Sequence, residues 1–197
     1  MHPNPAFRGD GDLLARVAEI GFATVFIAGE LPCMVHAPVT RHGERLRFHI
    51  ARANRVSDRL DGTRVLASVT GPDSYISPNW YAAPLNQVPT WNYEAIEIEG
   101  SCTRLDEAAL IEQLDVLALT HEALVNPQAP WSRSKMDPTL FTRMLGGICG
   151  FELAIDDIRS TCKLSQNKSA ADRTGVIAGL RSAGKIDLAN MMNAQPR

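Results

Sequence analysis

From Phe22 to Ala51 the sequence reads as three extended runs joined by turns too short for anything but hairpins. FATVFIA (22–28) is followed by a Gly29-Glu30 turn, LPCMVHAPVT (31–40), a second turn at His42-Gly43 and RLRFHIA (45–51). Parallel strands need a crossover of about a dozen residues or more, so these runs are antiparallel neighbours. After a short helix expected around Val56 to Leu60, TRVLASVT (63–70) adds a fourth strand. In EAIEIEGSCTR (94–104) Ile96 and Ile98 alternate with Glu97 and Glu99, the mark of a half-buried fifth strand. GGICGFELAIDDI supplies the sixth, with Phe151, Leu153 and Ile155 on one face.

The helical pattern frames these strands. Asp10 or Asp12 can cap a helix running to Ile20, with Leu13, Leu14, Val17 and Ile20 on one face. Asp106 begins the longest helix, where Leu110, Ile111, Leu114, Leu117 and Leu124 recur at helical spacing. A break at Pro127, Pro130 and Trp131 precedes a short helix after Asp137-Pro138, and helices finish the chain. Six hairpin-linked strands with peripheral helices define an α+β fold built on a small six-stranded antiparallel barrel. The expected organisation is one domain over residues 1–197, with 162–197 as a C-terminal helical segment.

Composition narrows the function classes. A net charge of −2 excludes a general nucleic-acid binder, which needs a basic surface to displace counterions from phosphates. No apolar run approaches the length of a membrane span, and MHPNPAFRGDGD lacks the apolar core of a secretory signal. Cys33, Cys102, Cys149 and Cys162 show no metal-ligand spacing, so they read as reduced thiols in a cytoplasmic protein.

A two-residue hairpin at His42-Gly43 sets Val35 against Ile50, Ala37 against Phe48 and Val39 against Leu46, three apolar pairs facing the interior. The opposite face then pairs His36 with His49 and Pro38 with Arg47, with Arg52 and Asn54 just beyond. Three explanations stand. The histidines are surface residues that happen to be opposite, or they begin a metal site for which no third ligand is visible. Alternatively they line a face that can donate to an anionic or heteroaromatic ligand.

Residues 71–93 carry Tyr75, Trp80, Tyr81, Trp91 and Tyr93 among four prolines. A long connection of this kind either buries its rings against the same chain or a sister subunit, or offers a platform for a planar ligand. In KLSQNKSAADRTG (163–175), Ser169 and Asp172 form a capping box, with Val176, Ile177 and Leu180 on the buried helix face and Gly184 at its end. This stretch is either a well-capped helix start with solvated Lys163 and Lys168, which leaves Gln166 and Asn167 unexplained, or a site where these donors and positive charges at a helix entrance hold an anion or polar ligand.

Taken together, FRGDGDLL (7–14), HIARAN (49–54), GPDSYISPNWY (71–81), VPTWNYEAIEIEG (88–100), PW (130–131) and KLSQNKSAADRTGVIAGL (163–180) resemble the PaiB-type FMN-binding negative transcriptional regulator family. The resemblance implies an FMN-binding split barrel related to the pyridoxamine phosphate oxidases, usually a homodimer with flavin at the subunit interface. By position it implies cofactor contacts from His36, Ala37, Pro38, His49, Ile50, Ala51, Arg52, Asn54 and Arg55, and places Asn92 just before the strand that reaches the other subunit's flavin. Val35 and Thr40 stand where the oxidases carry arginine and lysine, and Arg55 where many relatives carry proline. The Lys163–Lys168 loop is therefore a candidate for the phosphate. The implied function is flavin binding with a regulatory or redox role. A flavin-dependent oxidoreductase, a DNA-associated negative regulator and a flavin-free binding module remain alternatives. Direct DNA binding is not expected, since no helix-turn-helix with a basic recognition face is present.

Overall fold

The computed structural model describes residues 2–9, 11–30 and 32–195. Six strands, β1 (Phe22–Ile27), β2 (Cys33–His42), β3 (Arg45–Ala51), β4 (Arg64–Ile76), β5 (Thr90–Arg104) and β6 (Ile148–Lys163), close into a barrel in the order β1-β2-β3-β6-β5-β4. Five α-helices accompany them: α1 (Leu13–Ile20), α2 (Glu107–Val125), α3 (Pro138–Leu145), α4 (Ala170–Ser182) and α5 (Ile186–Ala194). The α+β barrel expected from the strand pattern is thus present. Asp10, one of the two proposed caps of α1, and Leu31 lie outside the described residues.

The chain divides into two compact units. The barrel unit comprises Leu14–Val69 and Glu97–Ile158, and the terminal unit comprises Met1–Leu13, Thr70–Ile96 and Arg159–Arg197.

In the barrel unit the inward positions of the hairpin, Val35, Ala37, Val39, Leu46, Phe48 and Ile50, are all buried. Phe48 pairs directly with Phe151 across β3 and β6, and their rings stack 5.6 Å apart. On the outer face Arg47 pairs with Glu152 at 2.8 Å and with Glu112 of α2 at 2.6 Å, while Arg45 reaches Glu152 at 2.6 Å. Burial works to raise the Glu152 carboxyl, but hydrogen bonds from the two arginines outweigh it and hold the group below its ordinary value. Helix α2, capped by Asp106, lies against the outer face of β2 and β3. That cover buries Thr40, which alternation alone would leave in solvent.

Three expectations need correction. The hairpin turns at Gly43-Glu44, not His42-Gly43, so Val39 faces Phe48, Thr40 faces Arg47 and His42 faces Arg45. Gly43, at φ 60, takes the first turn position, where a positive φ matches the twist of the flanking strands. The pairing is displaced by two residues, which preserves every inward and outward assignment but separates His36 from His49. His36 instead faces Thr24 of β1. Second, residues 56–60 form successive turns rather than a helix, with Ser57 N–H bonded to Asn54 O and Arg59 N–H to Val56 O. Third, the aromatic loop is shorter than residues 71–93, because β4 continues to Ile76 and β5 begins at Thr90.

In the terminal unit Ile76, Tyr81, Leu164, Val176, Leu180, Leu188 and Met192 form one buried cluster. A single turn at Pro78–Trp80 lies on α4 at Gly175 and Gly179. A Cβ at Gly175 would collide with the Trp80 carbonyl oxygen, and one at Gly179 with the Trp80 ring, so the glycine pair admits the tryptophan. Trp80 and Tyr81 therefore pack on their own chain, whereas Tyr75 and Trp91 stay exposed at 47% and 49%, edge to face with each other. Cys33, Cys102, Cys149 and Cys162 form no disulfide among the described residues.

Candidate functional site

The barrel unit places several of the expected residues on the outer wall of β2 and β3. Pro38 and His49 line a cavity of about 560 Å³ together with Phe22, His121, Trp131 and Phe141. His36 does not line it. Its ring stacks parallel on Phe22, centroids 6.5 Å apart, and its Nδ1 lies 3.0 Å from Thr24 Oγ1. Ala37 and Ile50 direct their side chains into the barrel core and can offer a ligand only backbone.

His49 is a half-buried polar group of the cavity. Its Nδ1 lies 2.9 Å from Gln113 Oε1 of α2. A carbonyl oxygen only accepts, so Nδ1 carries the shared hydrogen and Nε2 is left as an acceptor. Burial pushes the imidazole below its ordinary value of 6.5, opposed by the Gln113 hydrogen bond. The ring is therefore neutral at neutral pH. Gln113 is fully buried, and its Nε2 has no partner among the described residues. Sequence reasoning missed Gln113. The available signal was a lone amide inside the apolar stripe Leu110–Leu117 of a helix that covers a sheet.

A pH dependence follows. Between a lowered folded pKa and the unfolded value near 6.5, the unfolded chain binds more protons, so stability drops as pH falls through that window. His42, lowered by burial and by the Arg47 charge, acts in the same direction. Thermal unfolding of the flavin-free protein should show the midpoint falling from about pH 7 to pH 5.5, with a shallower fall in His49→Gln. Identical slopes in the two proteins would contradict the neutral assignment.

Beyond β3 the chain turns sharply. Arg52 Nε donates to Gly146 O at 2.7 Å and Nη2 to Ile148 O at 2.8 Å, while Asn54 Oδ1 accepts from Val56 N–H at 3.2 Å. Ala51, Arg52 and Arg55 are exposed there. Two guanidinium groups thus flank one turn.

The terminal unit holds the other expected residues, and most are engaged internally. Asn92 lies within β5 rather than before it and is fully buried. Its Nδ2 donates to Ser165 Oγ at 2.9 Å and approaches Met192 Sδ at 3.5 Å. Lys163 Nζ donates to Thr90 Oγ1 at 2.6 Å and sits 5.8 Å from the Phe7 ring centre, and burial lowers its pKa. Gln166 folds back on its own loop, accepting from Leu164 N–H and donating to Cys162 O. Asn167 is exposed. Lys168 Nζ donates to Gln87 Oε1 at 2.9 Å over the Tyr81 ring, 4.5 Å from its centre. The capping box is formed as expected, with Asp172 N–H donating to Ser169 Oγ at 3.1 Å and the Ser169 hydroxyl to Asp172 Oδ2 at 2.8 Å.

Comparison with known proteins gives these geometries a context. Residues 1–157 match the family described as "Putative FMN-binding domain". Protease synthase and sporulation protein PAI 2 of Bacillus subtilis is 36% identical over 118 residues, covering 60% of this chain and 55% of that protein. The match thus spans little more than half of the Bacillus protein. An uncharacterised protein of Emericella nidulans is 26% identical over 190 residues, 80% of this chain and 76% of its own. Among solved structures, the FAD and heme binding protein from Mycobacterium smegmatis aligns with TM-score 0.61 at 17% identity, covering 85% of this chain and 78% of that one. The flavocytochrome Anf3 from Azotobacter vinelandii aligns with TM-score 0.59 at 13% identity, covering 83% and 72%. At such identities these two establish the fold alone. The chain belongs to the PaiB-type family of FMN-binding split-barrel proteins, and FMN is its cofactor.

Proposed function

We propose that the chain works as a homodimeric flavoprotein with a regulatory or redox role, holding FMN against the outer wall of the β2–β3 hairpin. One observation carries this placement: a neutral His49, oriented by Gln113, faces a cavity lined by Phe22, Pro38, Trp131 and Phe141. The donor set fits the cofactor. A planar heteroaromatic ring needs flat apolar contact and a few oriented polar partners, and the cavity offers both. A phosphate needs fixed cations, and Arg52 and Arg55 stand at the turn that ends β3. Bound FMN supplies the electron-transfer chemistry.

Each residue's part follows from its environment. His49 accepts a hydrogen bond through Nε2 and keeps that role while it stays neutral. Phe22 and Pro38 exclude water from one wall. Asn54 shapes the turn that presents Arg52 and Arg55, and Ala51 and Ile50 contribute backbone. In the terminal unit, Lys163, Gln166, Lys168 and Asn92 are held by partners within that unit, and Asn167 is exposed.

Dimerisation is supported by apolar side chains left in solvent: in the barrel unit Phe22, Met34, Leu119, Leu124 and Val125 are each more than half exposed. Regulation is proposed to act without direct DNA contact, in keeping with a net charge of −2. No described helix is long and apolar enough to cross a membrane, and a cytoplasmic site of action is part of the proposal.

The test is FMN titration of His49→Ala beside thermal unfolding of its apo form. Loss of one oriented hydrogen bond to the cofactor should weaken affinity about ten- to a hundredfold, or roughly 1.5–3 kcal/mol. Unchanged affinity would remove His49 from the site. Light scattering at micromolar concentration should give twice the chain mass of 21.5 kDa, and a monomer would refute the dimer.

A further inference from the structure

Helix α2 has two working faces in the barrel unit. Leu110 and Gln113 are buried, and Gln113 bonds His49 of β3. Ile111, Asp115 and Ala118, at helical spacing on another stripe, line a larger cavity of about 780 Å³. Its opposite wall comes from residues 130–136 and from Phe141 and Leu145 of α3. That wall is tied down. Trp131 N–H donates to Glu122 Oε2 at 2.8 Å and Lys135 Nζ to Pro130 O at 2.9 Å. Arg133 Nε and Nη2 donate to the two Asp115 oxygens at 3.1 and 2.9 Å. A wall fixed in this way exists before a ligand arrives, which lowers the ordering cost of binding.

The lining selects its ligand. Its volume falls within the range of about 300–1,000 Å³ usual for small-molecule sites. Ile111, Met136, Leu145 and the Trp131 and Phe141 rings make it largely apolar, and the Arg133 guanidinium lies 5.3 Å from the Phe141 ring centre. Arg133 and Asp115 neutralise each other as a bidentate pair. Glu107 is the remaining charged group of the lining among the described residues, so the wall is negative overall and disfavours anions. Glu107 is also exposed, where water and salt screen it, so a cation gains little.

Asp115, Ala118, Trp131, Arg133 and Phe141 also line the cavity of Phe22, Pro38 and His49. One partition therefore serves both. We propose that the larger cavity is a second ligand site, for an uncharged planar aromatic molecule held beside the flavin. FMN itself does not suit it, because its phosphate would face a negative wall. The ligand's place beside the flavin rests on the FMN placement at the β2–β3 wall, whereas the aromatic site itself does not.

Calorimetric titration of the FMN-saturated chain would use coumarin, an uncharged bicyclic aromatic, and its carboxylate derivative. Coumarin should bind saturably at one per chain, and the carboxylate more weakly by about tenfold or more. Ile111→Trp fills the cavity from α2, and Met136→Ala strips apolar contact from the opposite wall. Neither residue lines the smaller cavity. Each variant should weaken coumarin binding about fivefold or more, with unchanged FMN affinity reporting an intact fold. No coumarin binding at millimolar concentration, carboxylate binding as tight as that of coumarin, or unchanged coumarin affinity in both variants would overturn the proposal. So would release of FMN by coumarin, which would mean one shared flavin cavity. A fall in the light-scattering mass on adding coumarin would overturn it too, by showing that a second copy of the chain occupies the cavity. Coumarin binding to a chain whose His49→Ala variant keeps full FMN affinity would retain the aromatic site and overturn only its place beside the flavin.

Discussion

Phe151→Ala should lower the unfolding free energy by about 3–5 kcal/mol, the usual effect of emptying a large aromatic site in a core. Phe151 has no solvent exposure, stacks on Phe48 across β3 and β6, and carries the Arg104 guanidinium 5.5 Å from its ring centre. Strands hydrogen-bonded on both sides cannot collapse inward to fill the space, so the cavity term persists. Against a typical stability of about 5–15 kcal/mol, the variant should melt far below wild type. Glu44→Ala is the counterpart: its pairing with Arg41 is 85% exposed on the glutamate side and should contribute only about 0–1 kcal/mol. Denaturant titration of both variants checks the pair. A Phe151→Ala midpoint matching that of Glu44→Ala would mean that the β3–β6 contact does not organise the core.

The second large effect concerns the phosphate. Arg52→Gln combined with Arg55→Gln should reduce FMN affinity by about a hundredfold or more, since each charge-assisted contact contributes roughly 1.5–3 kcal/mol. The single variants separate two roles. Arg52 also ties the carbonyls of Gly146 and Ile148, so Arg52→Gln should lower the apo melting temperature as well as affinity. Arg55 is exposed, and Arg55→Gln should change affinity with little effect on melting. Unaltered FMN affinity in the double variant would move the phosphate away from this turn.

The strands and their faces were legible because alternation is local. Val35, Ala37 and Val39 point inward whichever residues they oppose, and a two-residue displacement of the partner strand preserves that parity. The partners themselves were not legible. A glycine at either central turn position satisfies the same backbone demand, so the sequence HG and the sequence GE compete for one turn, and the choice separated His36 from His49. Polar residues failed for a different reason. Asn92 is satisfied by Ser165, Lys163 by Thr90 and Lys168 by Gln87, each more than 70 positions away. No local pattern shows that such donors are already engaged. Ser169 and Asp172, whose bonds close within one turn, were readable in full.

The absorbance spectrum of the purified protein, followed by FMN titration of the flavin-stripped form, bears most directly on the central claim. One FMN per chain, with a flavin spectrum perturbed on binding and lost affinity in His49→Ala, is the predicted result. A chain that neither purifies with flavin nor binds added FMN at micromolar concentration would contradict it.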